Sequence, residues 1–435
     1  MLLRPDQKDR LRRSLEDPTV FLRWILFAAL IGLVAGTVST AFYYAFHWAT
    51  ETRIAHPWLI WLLPVGGAAI VLLYRVCGLS KDGGTNLVLT TVRENTSLPL
   101  RTAPLIFLST IATHLVGGSS GREGAILQIG GSISSFLGRL MQLDERDSRV
   151  ITMCGMSAAF AALFGTPLTA AIFAMEVVSV GVMYYAAIVP CTLSALIGLL
   201  VARFLGVHGT SFVLQGIPDL SLLSLLQTVG IGVLLALLSV LFCKTMFLVS
   251  RRYKKWIPNP LVRVLAGSAL VIAVTYIVWL WNPGTYDYNG AGEAVIQAAI
   301  EGHARPEAFL LKILLTALTL GAGFKGGEIV PVFFTGATFG CVVAPLLGLH
   351  PSFGAGLGMV GLFCGVTNCP LSSLLLALEL FAGSEGMFTG QSLGLFAVVI
   401  AVSYMLSGYY SLFSEQKILY SKLRPEFINR KAGKK

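Results

Sequence analysis

Apolar residues run in long blocks through this chain. Five of them, Trp24–Trp48, Trp58–Val76, Leu222–Val249, Val264–Trp281 and Leu393–Leu412, approach the ~20 residues a helix needs to cross the hydrocarbon core of a bilayer. Backbone N–H and C=O groups find no water there, so the pattern predicts a helical bundle and an all-α integral membrane fold. Between these blocks the apolar runs are short and broken by Gly and Pro, which predicts helices that end inside the protein. Composition agrees: 55% of the 435 residues are hydrophobic and 12% charged, with a mean hydropathy of +0.75. A water-exposed surface of this size carries far more charge.

The net charge of +10 sits in three basic segments. Arg4–Arg23 carries six Lys/Arg, Lys244–Arg263 six with no acid, and Lys417–Lys435 seven. Asn282–Glu307 instead carries Asp287, Glu293, Glu301 and Glu307 against Arg305. Basic segments flanking spans are topology signals, so no nucleic-acid partner is expected. The positive-inside rule places them, and both termini, in the cytoplasm and the acidic stretch outside. The expected location is the cell (inner) membrane, in multi-pass form. The first 20 residues are charged and lack a small-residue cleavage site, so no removable signal peptide is expected. Seven cysteines lie scattered in apolar stretches with no CxxC and no clustered His, which indicates neither a disulfide framework nor a metal site. No GxxxxGK phosphate loop supports ATP-driven pumping, and no cofactor is expected.

The broken helices recur. Pro167 stands nine residues before Glu176, and Pro370 nine before Glu379, an offset of 203 for both pairs. GREGAILQIGG and GGEIVPVFFTGA match at an offset of 205, which pairs Gly121 with Gly326 and Glu123 with Glu328. GGTNLV at Gly83 echoes GAGEAV at Gly290, offset 207. The chain therefore reads as a duplication: a cytoplasmic segment 1–23, a first membrane repeat 24–215, a second 216–412 and a cytoplasmic tail 413–435. GGTNLV lies among Arg75, Lys81, Arg93 and Arg101, whereas its partner lies in the acidic stretch. Equivalent segments on opposite sides predict an inverted repeat around a site near the midplane.

A glycine-rich turn that opens a helix presents unpartnered N–H groups and the positive end of the helix dipole, an anion site. GGSSGREGAILQIGG and GAGFKGGEIVPVFF both have this form, and inversion would aim them at one point. The cargo expected on these grounds is an anion. Glu123 and Glu328 lie within the two segments, and an ionisable residue in a membrane segment is a functional hypothesis by default. A carboxylate beside an anion site competes with the anion when charged and carries a proton when neutral, so one group can couple the two. The plainer alternatives are ion pairs of Glu123 with Arg122 and of Glu328 with Lys325. Glu176 and Glu379 end apolar runs and read as structural or interfacial; His114 reads as a packed core histidine, and Tyr420 as an interface aromatic.

These motifs resemble the CLC family of chloride channels and proton-coupled anion antiporters over nearly the whole chain. GSSGREGAILQIGG resembles the family's GREG motif, which makes Glu123 the external gating glutamate and places Gly121, Arg122 and Gly124 at the anion. GGEIVP stands in place of GxFxP, so Gly327, Ile329 and Val330, with Glu328, would face the central anion. GTNLV stands where the family has GSGIP, with Thr85 at the anion-coordinating serine and Asn86 beside it. KILYSKL resembles the segment of the inner tyrosine gate, which would make Tyr420 an anion contact. The resemblance implies a homodimer with one pathway per subunit.

The departures point to a branch. The inner proton glutamate is replaced by Val177, while Glu328 sits inside the GxFxP segment; this combination resembles the fluoride/proton antiporters. A polar residue expected two positions after that glutamate is Val330. The reading is a halide/proton antiporter that exports fluoride, with Glu123 and Glu328 as proton-carrying groups. The alternative is a chloride channel or chloride/proton exchanger of the same fold. An intramembrane enzyme would need a nucleophile with its base. Ser119, Ser120 and His114 lie close in sequence, but no nucleophile elbow surrounds them, so the chain is not expected to be an enzyme.

Overall fold

The computed structural model describes residues 5–79, 83–94, 96, 98–385, 390–424 and 426–432; for 5–20, 390, 391, 428 and 430 it gives the backbone course alone. Arg4, Lys81, Lys434 and Lys435, used in the charge reading, lie outside the described residues. The first half comprises α1 (Pro5–Ala55), α2 (Leu63–Val76), α3 (Thr85–Glu94), α4 (Thr102–Leu115), α5 (Glu123–Leu140), α6 (Glu145–Phe164), α7 (Pro167–Glu176), β1 (Ser179–Val180) and α8 (Ile188–Phe204). The second comprises α9 (Leu222–Trp256), α10 (Pro260–Trp281), α11 (Glu293–Ile300), α12 (Ala308–Ala322), α13 (Ile329–Val343), α14 (Pro351–Thr367), α15 (Pro370–Leu380) and α16 (Gly390–Leu406). Strands β2 (Lys417–Tyr420) and β3 (Phe427–Lys431) follow.

Helix lengths follow the apolar pattern. Among the described residues, six helical stretches are long and apolar enough to cross a membrane. The outer faces of α9 and α10 expose Leu226, Leu237, Leu241, Leu265, Ile277 and Leu280, a surface suited to acyl chains rather than water. By contrast α3, α7, α11 and α15 have 10, 10, 8 and 11 residues. At about 1.5 Å per residue none of them crosses a bilayer. Their ends, buried in protein, need partners other than water.

Local chemistry sets the boundaries. Asp144 caps α6 by accepting from the Asp147 amide at 2.8 Å, and Gly165 ends it at φ +76°, where a Cβ would lie 2.5 Å from Gly209 Cα. Ser221 and Ser224 form a reciprocal capping box at the start of α9. Asn368 closes α14 in the left-handed conformation, φ +58°. Buried hydroxyls turn back on their own helix, as Ser134 does to Gly130 O at 2.7 Å and Thr338 to Phe334 O at 2.7 Å.

Close helix contacts recur at matched places in the two halves. Gly130 on α5 packs on Gly155 of α6 so closely that a Cβ on either would run into the other's carbonyl; Gly336 on α13 and Gly358 on α14 stand in the same relation. The offsets are 206 for α5 to α13 and 203 for α6 to α14. Small residues let helix backbones approach in the absence of a hydrophobic driving force between helices. The sharpest sign of the inversion lies between α7 and α15. Glu176, the last residue of α7, accepts from the Leu371 and Ser372 amides at 3.0 and 2.8 Å, at the start of α15. Glu379 of α15 accepts in return from the Leu168 and Thr169 amides at 2.9 and 2.8 Å, at the start of α7. Each short helix thus caps the other's positive end with a carboxylate, an arrangement that needs two antiparallel copies of one motif. The structural role expected for Glu176 and Glu379 is this one.

The register of the central repeat differs by one from the sequence alignment. Gly121 N–H donates to Gly327 O at 2.7 Å and Gly327 N–H to Gly121 O at 2.6 Å, which pairs Gly121 with Gly327 rather than Gly326. At this offset of 206, Glu328 matches Arg122, and Ile329 matches Glu123. The alignment by 205 was drawn to two glutamates, but the backbone pairs glycines. The tail adds strands that the hydropathy pattern does not foretell: β1 pairs parallel with β2, and β2 antiparallel with β3.

Replacing Glu379 by Ala should lower stability by about 1–2 kcal/mol, the usual cost of a lost helix cap. Glu176→Ala should cost more, because Glu176 is only 9% exposed and also accepts from the Ser372 hydroxyl. Thermal unfolding of the detergent-solubilised variants measures both; equal stability to the parent would contradict the reciprocal capping.

Candidate functional site

The head-to-head pair of glycines brings the starts of α5 and α13 to one point in the interior. A Cβ on Gly327 would stand 2.8 Å from the Glu123 amide and 2.7 Å from that of Gly124, so only glycine permits the approach. The Gly121 and Gly327 amides bond each other's carbonyls, so the two glycines join the repeats at this point. The donors that converge are the next ones. Arg122 N–H and Val330 N–H both donate to Glu123 Oε2, at 3.1 and 3.0 Å. The carboxylate is fully buried, and its other oxygen, Oε1, has no hydrogen-bond partner among the described residues. Glu123 therefore folds back over its own helix start and lies where amides from both repeats point.

Two cavities border this centre. The first, about 500 Å³, is lined by Thr85, Gly124, Glu328 and Ile329 and by the basic residues Arg75, Lys254, Arg263 and Lys325. The second, about 490 Å³, is bordered by Arg122, Val330, Phe164, Glu293, Gln297 and His208. They follow the inverted repeat: the start of α3 and the residue before α13 line one, the start of α11 and the residue before α5 the other. At the matching places the charges are opposite, Glu328 on the first cavity and Arg122 on the second.

Arg122 meets Glu123 through its backbone amide, and its guanidinium pairs elsewhere. Its guanidinium lies 3.1 Å from Glu293 on α11 and within 5.0, 5.6 and 5.9 Å of the ring centres of Phe46, Tyr43 and Phe164. The aromatic cage and the carboxylate hold the charge beside the second cavity. Thr85 Oγ1 donates to Gly124 O at 3.4 Å, and Gln128 Nε2 donates to the same carbonyl at 2.9 Å. Asn86 lines the first cavity, its Oδ1 accepting from the Glu415 amide at 3.1 Å. Lys325 lies over the Tyr74 ring, 4.3 Å from its centre. His114 is buried against Phe46 and bonded to Ser120 O and Thr110 O, each at 2.9 Å, as a core histidine is.

Tyr420 is elsewhere. It ends strand β2, 45% exposed, with its ring against Phe427 and its Cβ against Gly181, and it borders neither cavity. The tail pairs into a sheet, which carries Tyr420 to the surface; the aromatics that border the first cavity are Tyr74, Phe324 and Phe413. Position 177 offers no titratable side chain: Val177 is buried and its carbonyl accepts from Gln416 Nε2 at 3.0 Å. Sequence reasoning passed over Glu293 and Gln128 as site residues. The signal for Glu293 was present, since the GAGEAV echo already matched it to the Thr85 segment.

The arrangement turns amide donors from both repeats onto one buried carboxylate oxygen, and such donors at helix starts are of the kind that bind small anions. Comparison with known proteins agrees with the fold and the motifs. A family profile described as voltage gated chloride channel matches residues 66–408. A protein named chloride/fluoride channel protein, from Pseudomonas syringae pv. tomato, is 36% identical over 96% of this chain and 90% of its own. An H+/Cl− exchange transporter of Vibrio parahaemolyticus is 23% identical over 86% and 85%. Among solved structures, a CLC-type fluoride/proton antiporter superposes with a TM-score of 0.85 at 32% identity, covering 91% of this chain and 98% of that one. A slow cyanobacterial Cl−/H+ antiporter has the same fold, TM-score 0.72 at 18% identity over 88% and 94%. With its inverted repeats, its GREG turn and the central meeting of α5 and α13, this multi-pass membrane protein belongs to the voltage-gated chloride channel (CLC) family.

Proposed function

We propose that the protein exchanges a halide for protons across the cell (inner) membrane, exporting fluoride, with Glu123 as the group that both species contest. The observation that carries this reading is the pair of amides, one from each repeat, donating to one oxygen of a buried carboxylate. An anion on the path accepts from the same donors once the carboxylate withdraws. Protonation releases it: a neutral carboxyl competes weakly for charge-seeking amides, and the unpartnered Oε1 is a place for the proton. Carboxylate and halide then alternate at one site, and a proton moves with each alternation.

Fluoride is favoured for two reasons. Glu328 stands beside Ile329 on the first cavity, where a protonated carboxyl could donate to a small, strongly accepting anion together with the Thr85 hydroxyl. The 36% identical relative is named for chloride and fluoride, and the 32% identical structure is a fluoride/proton antiporter. The basic lining of the first cavity fits the cytoplasmic side and Glu293 the external side, with both termini cytoplasmic, as the positive-inside rule expects. The protein is taken to work as a homodimer with one pathway per subunit, on the family resemblance. A second reading, a passive chloride channel or chloride/proton exchanger, draws support from Val177 and Val330, apolar where a proton acceptor and a polar anion contact were expected.

In proteoliposomes of the full chain, a fluoride gradient should drive protons uphill, and Glu123→Gln should abolish that coupling. Fluoride and chloride electrodes decide between the readings: chloride efflux as fast as fluoride efflux would overturn the fluoride assignment. Gly121→Ala places a methyl 2.5 Å from Glu123 Oε2 and 3.0 Å from Pro331 Cδ. It should cut flux at least about tenfold, because Pro331 cannot retreat within a packed helix start and the methyl intrudes on the place that the carboxylate and the anion share; parental flux would contradict the close approach.

A further inference from the structure

Lys312 lies in the middle of α12 and is fully buried. Its Nζ donates to Gly290 O at 2.7 Å and to Tyr288 O at 3.3 Å, and it stands 5.0 Å from the centre of the Phe334 ring. Two N–H groups thus reach carbonyls while the third direction faces an aromatic ring. An ammonium is attracted to that face, whereas a neutral amine would turn its lone pair towards it. No Asp or Glu lies within ion-pair distance of Lys312 among the described residues. A cation in the membrane interior without a carboxylate neighbour is costly and calls for a countercharge nearby.

The surroundings point to where that countercharge is. The loop on Lys312 is the one that holds the turn before Glu123. Asn289 Nδ2 donates to Gly117 O at 3.0 Å, Gly290 N–H to Gly118 O at 3.1 Å, and Ser119 Oγ to Tyr288 O at 2.9 Å. Phe334, the ring over Lys312, belongs to α13 and also meets the Tyr288 ring. Lys312 therefore touches the supports of both helix starts that meet at the centre. Arg53, at the end of α1, lies against the same loop, its guanidinium 3.5 Å from where a Cβ on Gly290 would stand, so a second cation shares this place. The carboxylate to which the loop and α13 together lead is Glu123, fully buried and held by the Val330 amide of α13.

We propose that Lys312 is the fixed countercharge of the central site, a positioning residue that favours one negative charge there at all times, carboxylate or halide. Resting on the exchange reading above, this explains how slip is suppressed. A state with Glu123 protonated and the site empty leaves the buried ammonium unbalanced, so release of one negative charge is tied to arrival of the other.

The test uses proteoliposomes of the full chain and whichever halide the parent carries, with half-saturating concentration and maximal rate measured separately. Lys312→Met should raise the half-saturating concentration about tenfold, the effect of one charge in a low-dielectric interior, and Lys312→Arg should stay within about threefold of the parent. Asn289→Ala loosens the same loop but keeps the ammonium, and should leave half-saturation unchanged. Parental half-saturation in Lys312→Met, equal loss in Lys312→Arg, or equal loss in Asn289→Ala would each overturn the proposal. Should Lys312→Met fail to purify as a single species, Glu123→Gln/Lys312→Met, which removes both charges together, should purify; failure of that double variant overturns the proposal as well. A parent that carries chloride alone would sink the fluoride reading and leave this experiment intact.

Discussion

Two reciprocal backbone hydrogen bonds, between Gly121 and Gly327, are the constraint on which the rest of the centre depends. They join the two repeats at their least substituted residues and set the starts of α5 and α13 against each other. Helix starts carry partial positive charge and repel one another when brought head to head. A negative group between them relieves that repulsion, and Glu123, reached by amides from both sides, supplies it. The site is an electrostatic consequence of how the halves meet.

The same logic runs through the short helices. A half-membrane helix leaves amides and carbonyls unsatisfied where no water reaches them. Here the ends are answered by the opposite repeat: Glu176 and Glu379 cap each other's helices, and the Asn289–Gly290 loop covers the carbonyls of Gly117 and Gly118. Inversion makes this economical, since one sequence solution serves twice. It also makes asymmetry informative. The repeats differ at matched places, as Arg122 does from Glu328 and Glu123 from Ile329, while the glycine pairing between them is shared.

Charge is distributed accordingly. The Arg122 guanidinium is turned to Glu293 and three aromatic rings, while its amide and that of Val330 hold the carboxylate of Glu123, and Lys312 lies buried behind the loop that supports this turn. The first cavity is lined by four basic side chains besides Glu328, whereas the second has Arg122 and Glu293 in balance.

The sequence alone determined the membrane class and the repeat, and it singled out Glu123 as the candidate group of the centre. Each of these rests on properties that survive without tertiary contacts: the length of apolar runs, the recurrence of Pro and Glu at fixed spacing, and a carboxylate set in a glycine-rich helix start. Only the tertiary structure decided the register and the partners. A one-residue difference in offset was invisible because glutamates matched more conspicuously than glycines, yet the backbone pairs Gly121 with Gly327 and leaves Glu328 opposite Arg122. Tyr420 followed its motif in sequence but not in space, since strand pairing with Phe427 outweighs motif position. Lys312 stood in plain view as a lone cation in FLLKILLTALTL. Its significance emerges only when the loop carbonyls, Phe334 and Glu123, distant along the chain, are brought around it by the fold.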